Sequence, residues 1–301
     1  MSQQSKISDE APIVEAVDRV VLAVRDLAEA ERIYTRMLGR APSWRRRDHM
    51  GGTGHVLYRL VNMTLELASP TGPGPWGKMV ATHLDEKGEG IIALFLETGN
   101  VLQAAATLTS RGLTTLALPE NEAHGDDGTI RRWQNTMMPR AESRDLTIIA
   151  TETLKGSDEL KLAPLRAGIA EAEAISALDH IVVMTPDAEA CKTLFGAQFG
   201  IRLALDHSKP EWGVRQLFFR LGGVTIEVVQ SLEKDKTPAK DFFWGMAWKA
   251  GSVAMVRERL LREEADVSEI RVGRKKGTEV ATIRKPTCGV PTLLVGEIQK
   301  A

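Results

Sequence analysis

The chain of 301 residues carries six histidines and two cysteines, the side chains from which acid–base, nucleophilic or metal chemistry would be built. Imidazole accepts and returns a proton near neutral pH. His49, His55, His83, His124 and His207 show no metal-ligand spacing and stay unassigned; His180, in the apolar run Leu178-Asp179-His180-Ile181-Val182, remains. Cys191 and Cys288 cannot form a disulfide framework or a cysteine zinc site. Cys191 also falls on the apolar stripe of an expected helix, so it reads as a packed thiol. Arg45-Arg46-Arg47 reads as a solvated loop rather than an anion clamp. Gly51-Gly52-Thr53-Gly54 precedes a strand, lacks the helix N-terminus that makes glycine loops phosphate sites, and reads as a turn.

Composition narrows the classes. Apolar residues make up 43% and charged residues 26%, the balance of a soluble globular protein, and the length favours two domains. A formal net charge of −1 provides no field to gather nucleic acid or anionic membrane, so neither is expected as a partner. No run approaches the roughly 18 to 20 apolar residues of a membrane span. The opening MSQQSKISDE has no apolar core of a secretory signal, and with the sparse cysteines this leads us to expect a cytoplasmic protein.

The elements that position His180 are legible because the chain repeats itself. Placing Val17-Asp18-Arg19-Val20-Val21 over Leu178-Asp179-His180-Ile181-Val182 sets an offset of 161, which also lays Glu66 on Glu227 without a gap. Nine of the 49 pairs are identical, among them Asp26/Asp187, Gly39/Gly200, Thr64/Thr225 and Glu66/Glu227. About three would match by chance, so the unit is duplicated. Each copy reads as a β-branched strand (Val17 to Val24; Ile181 to Thr185), then a helix with an aspartate cap (Asp26, Asp187) and a glycine stop (Gly39, Gly200). A polar turn follows, then two strands joined at Val61-Asn62 or Gly222-Gly223. A weaker second pair begins at Gly90 to Glu97 and at Trp244 to Lys249, and each member ends in strands. Thr71 to Gly77, rich in Pro and Gly, reads as a loop between the first two modules.

Four strand-helix-strand-strand-strand modules in two tandem pairs resemble the vicinal oxygen chelate superfamily, which includes glyoxalase I, extradiol dioxygenases and the bleomycin and fosfomycin resistance proteins. Leu178-Asp179-His180-Ile181-Val182-Val183 looks like that family's opening strand, and Gly223-Val224-Thr225-Ile226-Glu227-Val228-Val229 like the strand closing its first module. The resemblance implies an α+β fold of four βαβββ modules forming two half-open barrels. A tail would occupy 1–15, a degenerate barrel 16–152, a linker 153–177, and the barrel with the site 178–301.

In that family a divalent metal is held inside a barrel by first-strand and last-strand side chains. Carried over, this makes His180 and Glu227 the catalytic candidates and the metal ligands of a weak or absent site. The fourth module fails the pattern, offering Gly245 and Leu293, with Asp241 or Glu297 as distant replacements. In the first half Arg19, Ile91, Ile148 and Ile149 replace the ligands and only Glu66 survives, so Arg19 and Glu66 are expected to pair internally in a structural barrel. Phe243, Trp244 and Trp212 are the candidate substrate-binding aromatics. The resemblance implies a lyase, isomerase or hydrolase acting on an oxygenated, partly apolar small molecule. Alternatives are a metal-free binding protein of the bleomycin-resistance type and an extradiol ring-cleaving dioxygenase. No organic cofactor is indicated, and either a monomer or a homodimer is compatible.

Overall fold

The computed structural model describes residues 13–298; the opening segment read for a secretory signal lies outside the described residues. The first half runs β1 (Ala16–Ala23), α1 (Leu27–Leu38), β2 (Trp44–Asp48), β3 (Thr53–Arg59), β4 (Thr64–Pro70), α2 (Pro75–Lys87), β5 (Gly90–Glu97), α3 (Val101–Ser110), β6 (Leu116–Ala117), β7 (Asn121–His124), β8 (Ile130–Met137) and β9 (Ile148–Thr153). The second runs β10 (Ile175–Thr185), α4 (Ala188–Lys192), β11 (Arg202–Lys209), β12 (Val214–Leu221), β13 (Val224–Ser231), β14 (Phe242–Ala250), α5 (Val253–Arg262), β15 (Asp266–Val267), β16 (Arg271–Val272), β17 (Thr278–Lys285) and β18 (Thr292–Glu297). A π-helical segment, Thr193–Gln198, continues α4.

Each half is one nine-stranded mixed sheet. The orders, β2-β3-β4-β1-β5-β9-β8-β6 with β7 on β8 and β11-β12-β13-β10-β14-β18-β17-β15 with β16 on β17, are the same topology twice. The duplication holds at the level of single residues. Val21 pairs with Glu66 as Val182 pairs with Glu227, and Arg46 pairs with His55 as His207 pairs with Gln216. Period-two alternation then sends the same positions to the concave face in both halves.

Helices α1, α3, α4 and α5 cover the opposite, convex faces, and one continuous core joins the two halves there, including Leu38, Leu108, Phe195, Trp248 and Leu260. Asp26 caps α1 by accepting from Glu29 N, and Cys191, Leu194 and Phe195 lie on the buried side of the α4 segment. Arg259 of α5, 1% exposed, donates to the carbonyl oxygens of Arg36 (2.6 Å), Met37 (3.1 Å) and Glu173 (2.8 Å). It thereby satisfies carbonyls at the C-terminal end of α1 that the helix leaves open. Asn62 bonds both backbone groups of Leu178, at 2.8 and 3.0 Å, tying the first half to the start of β10.

Three sequence readings change. Arg45-Arg46-Arg47 is not a loop but lies in β2, where alternation turns Trp44, Arg46 and Asp48 to one face. Thr71 to Gly77 is a loop only as far as Gly74, because Pro75 opens α2; a proline at the first helical position loses no hydrogen bond. Ile91 does not face the first barrel's interior but belongs to the convex-side core, and the concave positions of β5 are Ile92, at a bulge, with Ala93 and Phe95.

Candidate functional site

In both halves the concave face is organised around the glutamate that the repeat aligns. In the second half His180 Nε2 lies 3.2 Å from Glu227 Oε2, and His180 Nδ1 lies 2.9 Å from Asp179 Oδ2. Gln216 Nε2 donates to the other Glu227 oxygen at 2.5 Å. The hydrogen bond to His180 holds the Asp179 carboxyl below its ordinary range. A neutral ring giving its Nδ1 proton to Asp179 would turn a bare Nε2 lone pair toward Glu227, and two acceptors at that distance need a proton between them.

The neighbours of this pair are small. His180 pairs across the sheet with Ala247 and Val182 with Gly245, and Ala247 pairs with Leu293. A Cβ on Gly245 would sit 2.6 Å from the Pro291 carbonyl oxygen, so that position cannot carry a ligand side chain without moving the loop. Asp241 is not a replacement ligand: it is fully buried elsewhere, accepting from Arg144 Nε at 2.6 Å and Thr185 Oγ1 at 2.7 Å. Glu297 is exposed at the end of β18. Among the described residues no group of three or more His, Cys, Asp or Glu converges, so the donors do not fit a tightly held resident metal. The Cys191 thiol is buried against Asp241 and Thr185 and pushed up to about 12 by that burial, so it stays protonated.

Of the aromatic candidates, Phe243 points into the convex-side core, whereas Trp244 is 48% exposed beside it. Trp212, in the turn before β12, lies under Arg274 at 4.3 Å, linking that turn to the loop before β17. The connector from β13 to β14 holds only a three-residue 3-10 turn, Lys234–Lys236, where the first half has α2, so among the described residues this face lacks the counterpart of that helix.

The first barrel is built differently. Its Glu66 is held by His55, a residue the sequence left unassigned, with Nδ1 2.6 Å from Oε1; His55 Nε2 is 2.7 Å from Thr53 Oγ1. Arg19 Nε lies 3.6 Å and Arg46 Nη2 3.7 Å from the same carboxylate, so the expected Arg19 and Glu66 contact exists as an ion pair without a hydrogen bond. Burial alone would raise the Glu66 carboxyl, but His55, Arg19 and Arg46 outweigh it and hold it well below its ordinary value. Burial, then Arg46, pushes His55 down, so the ring is neutral at pH 7. Trp76, Met79 and Val80 of α2 close the mouth of this barrel over a cavity of about 70 Å³. Alternation in Trp44-Arg45-Arg46-Arg47-Asp48 was the available signal for Arg46; for His55 it was the position two residues after Thr53 in a strand.

Comparison with known proteins follows the same division into halves. Residues 17–176 match the glyoxalase-like domain family, and residues 179–282 match the glyoxalase/bleomycin resistance protein/dioxygenase superfamily. The chain belongs to the glyoxalase-like family. Over 95% of this chain and 93% of the other, it is similar in structure to a mutant of 4-hydroxymandelate synthase from Streptomyces coelicolor, with a TM-score of 0.66 and 15% identity. The Mn(II)-bound glyoxalase from Novosphingobium aromaticivorans gives a TM-score of 0.61 at 11% identity, over 96% of this chain and 84% of that one. A variant of homoprotocatechuate 2,3-dioxygenase from B. fuscum gives 0.61 at 14% identity, over 95% and 72%. At these identities the likeness is one of fold. No curated protein matches the sequence. Among the described residues, no helix of this glyoxalase-like chain is long and apolar enough to cross a membrane.

Proposed function

We propose that this glyoxalase-like chain is a small-molecule enzyme whose proton-transfer centre is His180 with Glu227, on the uncovered concave face of the second sheet. The observation that carries the proposal is the His180 environment: Nδ1 lies 2.9 Å from Asp179 and Nε2 3.2 Å from Glu227, with the side chain 20% exposed. In this reading Asp179 orients the ring, His180 takes a proton from carbon or oxygen of an oxygenated substrate, and Glu227, steadied by Gln216, shares the proton. Trp244 offers an apolar wall. That assigns the chain to lyase, isomerase or hydrolase chemistry. A divalent ion would meet two protein donors here and is proposed only as a weakly held visitor. Extradiol cleavage would need a second histidine, where this chain has Gly245 and Ala247.

The test is proton washout in D2O followed by NMR with 2-hydroxyacetophenone and related vicinally oxygenated ketones. The native chain should exchange the activated proton, and His180→Ala should lose exchange while keeping its circular dichroism. Exchange that survives His180→Ala, or none with the native chain across the series, would remove the proposal. The metal-free binding reading keeps one specific observation in its favour, the aromatic-walled cavity of the first barrel.

A further inference from the structure

Buried arginines occur in two states in this fold. Arg40 and Arg259 spend their guanidinium donors on carbonyl oxygens, Arg40 on Ile175 (2.7 Å) and Ala163 (3.0 Å), Arg259 on Arg36, Met37 and Glu173. Arg19 and Arg46, each with a side chain 10% exposed, donate no hydrogen bond among the described residues. Their nearest acceptors are carboxylates at ion-pair distances: Asp18 at 3.2 Å and Glu66 at 3.6 Å from Arg19, Glu66 at 3.7 Å and Asp48 at 3.9 Å from Arg46. Glu66 meets His55 through Oε1 at 2.6 Å, and its Oε2 stands 3.6 Å from Arg19, beyond hydrogen-bond distance. Arg19 Nε and Asn135 Oδ1, both at the cavity wall, are buried without a hydrogen-bond partner.

The guanidinium planes are also positioned. Arg19 stacks on Phe95 at 4.2 Å and lies 5.5 Å from the Trp133 ring, and Arg46 lies 5.6 Å from the same ring. Stacked guanidiniums present their N–H edges sideways, and a planar carboxylate matches that fork. A buried guanidinium nitrogen and a buried amide oxygen left without hydrogen-bond partners at one cavity wall are costly, and Arg40 and Arg259 show the same chain supplying acceptors to buried guanidiniums elsewhere.

From this we infer that the first barrel binds a small organic carboxylate, its oxygens between Arg19 and Arg46 and its apolar body against Phe95, Trp133 and the Trp76 and Met79 edge of α2. The 70 Å³ cavity exceeds the roughly 10 to 15 Å³ that one water needs and suits an acid of few heavy atoms. This site stands apart from the His180 centre and does not depend on it.

Propionate is the probe, followed by calorimetry and tryptophan fluorescence, with propionamide as the neutral isostere and inorganic phosphate as the rival oxyanion. Propionate should bind saturably, propionamide at least tenfold more weakly, and phosphate should not displace propionate. Arg46→Gln should weaken propionate at least tenfold. Should that variant unfold, Met79→Trp, which fills the cavity without touching a charge, should abolish binding. His180→Ala should bind propionate like the native chain, which separates this site from the proposed catalytic centre. No saturable propionate binding at millimolar concentration, equal affinity for propionamide, or displacement by phosphate would each overturn the inference.

Discussion

His55 and His180 perform the same contact from different strands. Each reaches the glutamate that closes its module, His55 Nδ1 at 2.6 Å from Glu66 and His180 Nε2 at 3.2 Å from Glu227, yet His55 stands on β3 and His180 on β10, the counterpart of β1. The constant offset pairs Arg19 with His180 and His55 with Gln216, so the duplicated unit has kept its carboxylate and exchanged the positions of its imidazole. The consequence is functional asymmetry. One histidine is sealed beneath α2 among arginines, and the other faces an uncovered sheet between two carboxylates.

The sealed histidine should govern stability in mild acid. Its pKa lies below the ordinary 6.5, so between the two values the unfolded chain binds more protons and stability rises with pH, levelling off above about 6.5. Glu66, held well below 4.5, contributes stability that is complete above 4.5 and lost as pH falls toward its depressed value. His83, also lowered by burial, adds in the same direction as His55. Urea unfolding should therefore show native stability declining from pH 7 to 5, with His55→Gln flattening that stretch and keeping the loss below 4.5. Parallel profiles for the two proteins would contradict the assignment.

The cover of the first barrel depends on close backbone approach. Gly77 N donates to Gly51 O at 2.7 Å, and a Cβ on Gly77 would lie 2.3 Å from Gly72 O and 2.4 Å from Gly52 O. Gly77→Ala should lift α2 from the β2–β3 turn, costing about 1 to 3 kcal/mol as overpacking does. Thermal melting and a red shift of tryptophan emission as Trp76 meets water would report it. The exposed control Lys78→Ala should do neither.

Periodicity and the repeat made the frame legible, because strand alternation, aspartate caps and glycine stops are local signals: Gly39 takes φ 70° at the end of α1, as a glycine stop predicts. The same local logic failed at β2, since three consecutive arginines look solvated unless Trp44 and Asp48 are read with Arg46 as one face. It failed at α2 because Pro75 terminates a loop as readily as it opens a helix. Resemblance drew attention to His180 and away from His55, whose partner Glu66 is 11 residues distant in sequence and reached only through the β3–β4 hairpin. Asp241 looked available as a ligand because nothing in its neighbourhood announces Arg144, 97 residues away.

Arg144 and Asp241 form the ion pair whose loss should be most costly to the junction of the halves. The Asp241 side chain is fully buried and accepts from Arg144 Nε at 2.6 Å and Nη2 at 3.0 Å. Arg144→Ala leaves that carboxylate with Thr185 and Cys191 alone, at a cost of about 3 to 5 kcal/mol. Adding Asp241→Asn should recover part of this by removing the stranded charge. A double-mutant cycle in urea measures the coupling, and strictly additive losses would show that the two do not act together.

Metal retention follows from the donor set around His180. A divalent ion there meets His180 and Glu227 only, because Gly245, Ala247 and Leu293 occupy the facing positions, Asp241 is engaged by Arg144, and Glu297 is exposed at the end of its strand. Two protein donors leave mostly water in the coordination shell, and water exchanges readily. Protein loaded with Mn(II) or Zn(II) and then desalted should carry well under one ion per chain by elemental analysis. Gly245→His should not restore a tight site, because its Cβ would collide with Pro291 O at 2.6 Å before the ring could reach inward. His180→Ala should remove what binding remains, leaving circular dichroism unchanged, since one imidazole on a barrel wall carries none of the strand ladder. One ion per chain surviving a chelator wash would mean that further donors close around His180, and would return metal-assisted enolate chemistry to this barrel.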